Sequence, residues 1–159
     1  MFGVGDRVVY PMHGAGVIEG VEEREVLGMR QQYYVVRFPL GDMQVMVPVK
    51  SIREVGLRPV VEEAELERVE EILRRGEDVI VANWNQRYRT HLQKMKSGRI
   101  DEVAEVVRNL FLRERQKGLS TGERRMLDNA RQILVSEVAM VKGMVEEQAA
   151  RFIEAQIVS

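Results

Sequence analysis

The chain has 159 residues, of which 45% are hydrophobic and 31% charged, so it is long enough for one ordinary domain or two small ones. It contains no cysteine, which excludes disulfides, thiolate metal sites and cysteine nucleophiles and favours a cytoplasmic protein. The formal net charge of -1 excludes a broadly basic nucleic-acid binder, so any contact with nucleic acid has to come from a local patch. No secretory signal or membrane-spanning stretch is recognisable, and no membrane association is expected.

Residues 1–58 have the pattern of a small β domain. Short runs rich in β-branched and aromatic residues alternate with glycine and proline, which is typical of a small barrel. The predicted strands cover residues 6–11, 17–21, 32–38 and 43–48. A unit of this size is only marginally stable by itself, so we expect contacts with the rest of the chain to stabilise it.

Residues 59–159 have the pattern of an all-α domain, because the hydrophobic period changes there from two to about 3.6. Helices are predicted over 62–75, 83–97 and 101–118, and in a long segment that opens near Ser120. We expect Gly143 to weaken that last helix without ending it, and the tail from Glu154 to fray.

The predicted helices begin at typical capping residues. Asn83 and Asp101 are expected N-caps, and Ser120 with Glu123 matches the capping-box pattern.

Charge is distributed unevenly in the α region. The segment 83–99 contains no acidic residue and five basic ones, namely Arg87, Arg89, Lys94, Lys96 and Arg99, and a further pair, Arg124 and Arg125, opens the last helix. Helix starts present N–H groups that favour phosphate, and arginine is suited to clamp it. The alternative is a solvated helix face whose charges contribute little.

Trp84 allows two interpretations. It shares a helical stripe with Tyr88, Leu92 and Met95, and such stripes usually face a core. Its place at a helix start, beside basic residues, instead suits base stacking combined with phosphate contacts.

No motif predicts catalysis, a metal or a cofactor. His13 and His91 lack partners at zinc-binding spacing, so His13 is expected to make a structural hydrogen bond and His91 to lie at the surface. The glycines of 14–20 are spaced wrongly for a dinucleotide fingerprint and lead into a strand rather than a helix. No small-molecule substrate is expected.

Four segments together resemble the CarD family of bacterial transcription regulators. They are Val4–Gly16, Val45–Pro48, Asn83–Arg89, and Leu119–Leu127 with Ala130–Leu134. The resemblance runs in order over nearly the whole chain. It implies an α+β protein in two domains, a small Tudor-like β-barrel over 1–58 and an all-helical domain over 59–159.

The same resemblance implies a function. The barrel would bind the β subunit of RNA polymerase, and the helical domain would contact promoter DNA at the upstream edge of the transcription bubble and stabilise the open complex. The protein would be cytoplasmic, associated with the nucleoid through the polymerase, and not an enzyme.

The resemblance also implies site residues. Trp84 would wedge into the DNA minor groove. The sugar–phosphate backbone of the DNA would be contacted by Asn83, Arg87, Arg89, Arg124 and Arg125. Arg24 would contact the polymerase together with the strand edge formed by Gln44, Val45, Met46 and Val47. Met46 stands where the family often has a second arginine, so one docking salt bridge is replaced by an apolar contact or by the strand edge.

Two other functions stay open. One is a protein–protein adaptor without direct DNA contact. The other is a reader of methylated side chains, for which Phe2, Tyr10, Tyr33, Tyr34 and Phe38 could form an aromatic cage, although their alternation fits a barrel core better.

Overall fold

A computed structural model describes residues 2–76 and 83–157, which form an N-terminal antiparallel sheet followed by a helical domain. The strands are β1 Arg7–Tyr10, β2 Gly14–Val26, β3 Met29–Phe38, β4 Met43–Pro48 and β5 Arg58–Pro59. The helices are α1 Ile52–Val55, α2 Glu63–Arg74, α3 Trp84–Lys96, α4 Ile100–Gln116, α5 Thr121–Lys142 and α6 Glu146–Ile157, and a single 3-10 turn, Val49–Ser51, precedes α1.

The sheet has the order β4-β3-β2-β1-β5, and every neighbouring pair is antiparallel. Within the described residues no pairing joins β4 to β5, so the sheet is open and the closure expected of a barrel is not seen. Strand β4 matches its predicted range, whereas β2 is longer than predicted because it forms a long hairpin with β3. The turn residues Leu27 and Gly28 both have positive φ, and Leu27 is 99% exposed.

One face of the sheet carries the core of the β domain. Its buried side chains are Val8, Ile18, Tyr34, Val36, Phe38, Val47 and Leu57. Partly buried residues of the 49–55 turns, among them Ile52 and Val55, pack against this cluster. The sequence pattern did not predict a helix there, because four residues are too few to establish a helical period.

The two helix caps that bear on the candidate site are confirmed. The Asn83 side chain accepts a hydrogen bond from the Gln86 N–H at 2.9 Å. The Ser120 hydroxyl accepts one from the Glu123 N–H at 3.2 Å. Both side chains therefore satisfy an N–H group that a helix start leaves unpaired.

Three other predictions are wrong: the cap at Asp101, the continuation of the last helix through Gly143 and the fraying of the tail from Glu154. Helix α4 begins after Arg99, two residues before the predicted cap Asp101, whose carboxylate instead accepts a hydrogen bond from the Arg99 guanidinium at 3.1 Å. Helix α5 ends at Lys142 because Gly143 adopts the left-handed conformation with φ 65°. The tail then forms α6, which is held in place because Ile153 and Ile157 are buried in the helical core.

The two domains are joined by polar contacts that are partly or fully buried. Arg58 of β5 makes two hydrogen bonds to the carboxylate of Glu137 in α5, at 2.7 and 2.8 Å, and Glu137 also accepts from the Val61 N–H at 2.9 Å. The Ala15 N–H donates to the Ser136 hydroxyl at 2.9 Å. Helix α5 therefore packs in a defined orientation on the start of β2, on the face of the sheet opposite the β-domain core. This face is called the outer face.

Candidate functional site

Trp84 is the first residue of α3 and is 40% exposed. Its indole stacks on the Tyr88 ring, with centroids 5.0 Å apart and planes 18° from parallel. Burial increases along the stripe, since Tyr88 and Leu92 are half-buried and Met95 lies in the core. The core interpretation of Trp84 is therefore wrong. The indole is a surface group that stacks on the less exposed Tyr88 ring.

The indole also joins the starts of two helices. Its Nε1–H donates to the hydroxyl of Ser120, the N-cap of α5, at 3.0 Å. The ring lies close to the first turn of α5, because a Cβ added to Gly122 would be 3.5 Å from Trp84 Cζ2. The N-termini of α3 and α5 consequently lie side by side, and the exposed Asn83 caps one of them.

Arg87 does not face solvent as expected of a phosphate contact. It is 9% exposed, and its Nε and Nη2 donate to the Glu123 carboxylate at 2.8 and 3.3 Å. Burial would raise the pKa of Glu123, but the hydrogen bonds and charge of Arg87, with the charges of Arg113 and His91, outweigh it and the pKa is lowered. Arg87 is thus occupied by an ion pair that ties α3 to α5.

Three predicted DNA-contacting arginines, Arg89 of α3 and Arg124 and Arg125 of α5, are exposed. Arg89 and Arg125 have no ion pair within 2–76 and 83–157. Arg124 is within 3.8 Å of Glu114, and both side chains are largely exposed, so water screens the pair. These guanidinium groups remain available to an anionic ligand.

Carboxylates of helix α4 neutralise part of the positive charge of the acid-free segment 83–99. Lys94 pairs with Glu105 at 2.6 Å, and Arg99 pairs with Asp101 at 3.1 Å. The basic surface near Trp84 is therefore smaller than the sequence suggests.

The two histidines behave differently. His91 is 1% exposed and its Nε2 lies 3.2 Å from the Asn109 amide nitrogen, so the expectation of a surface position is wrong. His13 Nδ1 lies 3.3 Å from the Pro11 carbonyl oxygen, which fits a structural role. Nowhere in the described ranges do three or more His, Cys, Asp or Glu side chains gather as a metal site would require.

The candidate polymerase-binding residues divide between the two faces of the sheet. The strand register places Arg24, Gln44 and Met46 on the outer face, because they pair with Gln31, Arg37 and Val35 of β3, which alternate with its core residues. Val45 and Val47 point to the core, and Val47 is buried. The Val47 side chain is therefore unavailable to a partner and that of Val45 is only partly accessible, whereas the backbone of both lies at the edge of the sheet.

Several outer-face side chains already have local partners. Arg24 pairs with Glu22 at 3.0 Å, and Gln44 donates to Glu19 at 2.9 Å. Met46 is half-buried opposite the buried Val35, so it forms an apolar spot between polar groups.

The aromatic-cage alternative is not supported by the packing. Tyr34 and Phe38 are buried in the sheet core. Phe2 packs edge-to-face on Tyr34 with centroids 6.2 Å apart, and Tyr10 lies 6.3 Å from Phe38. These four rings form two packed pairs rather than lining an open cage.

Sequence reasoning missed the residues that hold Trp84 from α5. Ser120 and Glu123 were interpreted only as a capping box, although Glu123 is the partner of Arg87 and Ser120 binds the indole. A glutamate at this position is a weak signal, because the capping-box pattern already accounts for it.

Comparisons with known proteins confirm the resemblance. The family model of the CarD C-terminal domain matches residues 68–154, and that of the CarD-like/TRCF RID domain matches residues 2–61. The Bacillus subtilis (strain 168) protein named "Putative transcription factor YdeB" is 44% identical over 152 residues, covering 96% of this chain and 99% of that protein.

Two solved structures from Myxococcus xanthus are similar to the N-terminal part. The solution NMR structure of the 72-residue N-terminal domain of CarD is 32% identical, covers 37% of this chain and 79% of its own, and has a TM-score of 0.33. CdnLNt is 41% identical, covers 40% of this chain and 89% of its own, and has a TM-score of 0.35. With one family model spanning more than half of its length and a relative of nearly equal length 44% identical to it, the chain belongs to the CarD family of transcription regulators.

Proposed function

We propose that this protein binds the β subunit of RNA polymerase through its N-terminal sheet and promoter DNA through its helical domain, and so stabilises the open complex. The DNA contact would lie in the minor groove at the upstream edge of the transcription bubble. The observation that carries the DNA-binding part of the proposal is the exposed Trp84 indole at the start of α3, with the exposed Arg89 on the same helix and the exposed Arg124 and Arg125 in the first turns of the neighbouring α5.

The chemistry of this surface suits a junction between paired and melted DNA. An indole can fill the gap left where a base step opens, and the unstacked base then has a partner for its face. The three arginines can hold the adjacent phosphates without reading the sequence. Asn83 lies at the same helix start and is exposed, so its side chain is close enough to the indole to join the contact.

Two features support the polymerase half. Among the residues that the structure describes, strand β4 is an edge strand whose outer backbone groups pair with no other strand, a natural surface for strand addition. Arg24, Gln44 and Met46 share the outer face of the same sheet, so a partner at this edge would meet a charge, an amide and an apolar side chain.

The lifetime of a promoter open complex tests the DNA half. Stacking on an aromatic side chain contributes about 1–3 kcal/mol, so Trp84→Ala should shorten the lifetime roughly five- to 150-fold. The variant should unfold at nearly the same temperature, because the indole lies at the surface. Val145→Ala is the matched control, since it trims an exposed apolar side chain of the helical domain beyond the opposite end of α5.

The open-complex lifetimes distinguish the proposed function from that of a protein–protein adaptor. An adaptor without DNA contact predicts equal lifetimes for wild type, Trp84→Ala and Val145→Ala. A lifetime that shortens only in Trp84→Ala supports the proposal, and three equal lifetimes would overturn it.

A further inference from the structure

We propose that Ser120, held by the Arg87–Glu123 ion pair, is a positioning residue that orients the Trp84 indole before DNA arrives. The inference rests on the proposed function and concerns how its central side chain is prepared. It also assigns a role to Arg87, whose guanidinium is occupied and buried.

The Ser120 hydroxyl has a partner for its one hydrogen-bond donor and for each of its two acceptor lone pairs. A hydroxyl offers one donor and two acceptor lone pairs. It accepts from Trp84 Nε1 at 3.0 Å and from the Glu123 N–H at 3.2 Å, and it faces Glu123 Oε1 at 3.4 Å as the acceptor of its own proton. This arrangement directs one lone pair at the indole.

The carboxylate behind Ser120 is itself fixed. Glu123 is 2% exposed, and Arg87 grips both of its oxygens from the facing helix. Since Trp84 and Arg87 are both on α3 while Ser120 and Glu123 are both on α5, the contacts close a ring across the two helix starts. A ring of this kind resists rotation of the indole better than one bond at the surface.

The remaining contacts restrict the Trp84 side chain on the side that packs against the protein. Tyr88 stacks against one face of the indole, and Gly122 admits the ring close to the backbone of α5. Because Nε1–H is the only hydrogen-bond donor of an indole, its use by Ser120 leaves the rest of the ring to act on DNA through shape and stacking. An already oriented ring loses less entropy on binding than a mobile one.

Trp84 is the only tryptophan in the chain, so its fluorescence reports on this side chain alone. Time-resolved anisotropy of the free protein should show the wild-type indole tumbling with the whole molecule. Ser120→Gly removes the acceptor yet keeps a tolerated N-cap, which costs helix stability only a few tenths of a kcal/mol. It should add a fast component to the anisotropy decay, whereas Ser120→Thr, which retains the hydroxyl, should not.

The functional measurement is the open-complex lifetime with the full chain. Ser120→Gly should shorten it about two- to tenfold, the net worth of one hydrogen bond, and Ser120→Thr should leave it unchanged. In a Trp84→Ala background, Ser120→Gly should cause no further loss, because the residue acts through the indole.

An unchanged anisotropy decay in Ser120→Gly would overturn the positioning role. A further loss in the Trp84→Ala background would also overturn it, since Ser120 would then act independently of the indole. If Trp84→Ala leaves the lifetime unchanged, the proposed function is wrong, and the anisotropy comparison alone decides whether Ser120 orients the ring.

Discussion

At the scale of the residue, Arg87 and Glu123 illustrate how the surroundings of a charge decide its role. An arginine in an acid-free segment suggests a phosphate contact, but a buried carboxylate 36 positions further along the chain occupies it. Burying such a pair is costly, and removing one member leaves the other charged and unpaired. The pair is therefore expected to matter for folding as well as for the orientation of Trp84.

The pH dependence of stability should reveal this pair. Because the pKa of Glu123 is lowered in the folded state, the unfolded chain binds the proton more readily, and the pair stabilises the fold at neutral pH. This contribution is lost as the pH falls below the ordinary glutamate pKa of about 4.3 and through the folded value.

Glu123→Gln should thus lower the free energy of unfolding by about 3–5 kcal/mol at pH 7, as expected for a broken buried pair. The difference from wild type should shrink steadily in urea titrations at decreasing pH. Glu114→Gln, which removes the exposed partner of Arg124, serves as control and should change stability by less than about 1 kcal/mol. A difference between Glu123→Gln and wild type that is independent of pH would contradict the assignment.

At the scale of the element, two of the three glycines of strand β2, Gly16 and Gly20, have opposite requirements. A Cβ on Gly16 would lie 2.7 Å from the Arg37 carbonyl oxygen and 3.0 Å from both Phe38 Cδ1 and Val36 Cγ1. A Cβ on Gly20 would meet no atom within 4 Å. Gly16 is needed for close packing, and Gly20 is not.

Gly16→Ala should destabilise the β domain by about 1–3 kcal/mol, because backbone and core atoms have to move. Gly20→Ala should be neutral or stabilise by up to about 1 kcal/mol, because alanine restricts the unfolded chain. Thermal unfolding of the two variants beside wild type measures both effects. Equal melting temperatures for the two variants would show that the sheet relaxes around the added methyl group.

The outer face of the sheet makes a separate prediction about polymerase docking. Arg24→Glu should weaken binding to core polymerase more at low salt than at high salt, because the effect is electrostatic. Met46→Arg should keep or strengthen binding if this face docks, since it adds a second positive charge to the face of the sheet that carries Arg24. Surface plasmon resonance at two salt concentrations measures both, with the exposed hairpin-tip change Leu27→Ala as a comparison. Unaltered affinity in Arg24→Glu would remove Arg24 from the docking surface.

At the scale of the whole molecule, the interface between the sheet and α5 sets where the two candidate surfaces lie relative to each other. Glu137 is 1% exposed and accepts hydrogen bonds from Arg58 and from the Val61 backbone, so a single carboxylate joins β5, the following segment and α5. Under the proposed function such fixed geometry would favour simultaneous contact with polymerase and DNA, because the second contact would form at high effective concentration.

Glu137→Ala should lower stability by about 3–5 kcal/mol and separate the unfolding of the two domains, because Arg58 and the Val61 N–H lose their acceptor. Differential scanning calorimetry should then show two transitions in place of one. Arg7→Ala removes a more exposed interdomain hydrogen bond, from Arg7 Nη1 to the Met140 carbonyl oxygen, and should have a smaller effect. One unshifted transition in Glu137→Ala would mean that apolar packing alone holds the domains together.

The sequence by itself determined the features that depend on near neighbours. The range of β4, the caps Asn83 and Ser120, and the change from sheet to helices all follow from residue types within a few positions of each other. The family also followed from the order of short motifs, because those motifs are local.

Only the tertiary structure decided which side chains are free to act. Periodicity favoured a core position for Trp84, but the packing of α3 against α5 left the indole exposed and bound to Ser120. Composition made Arg87 and Arg89 equivalent, yet one is buried in an ion pair and the other is exposed. The physical reason is that burial and charge pairing depend on residues far apart in the chain, which only the fold brings within a few ångströms.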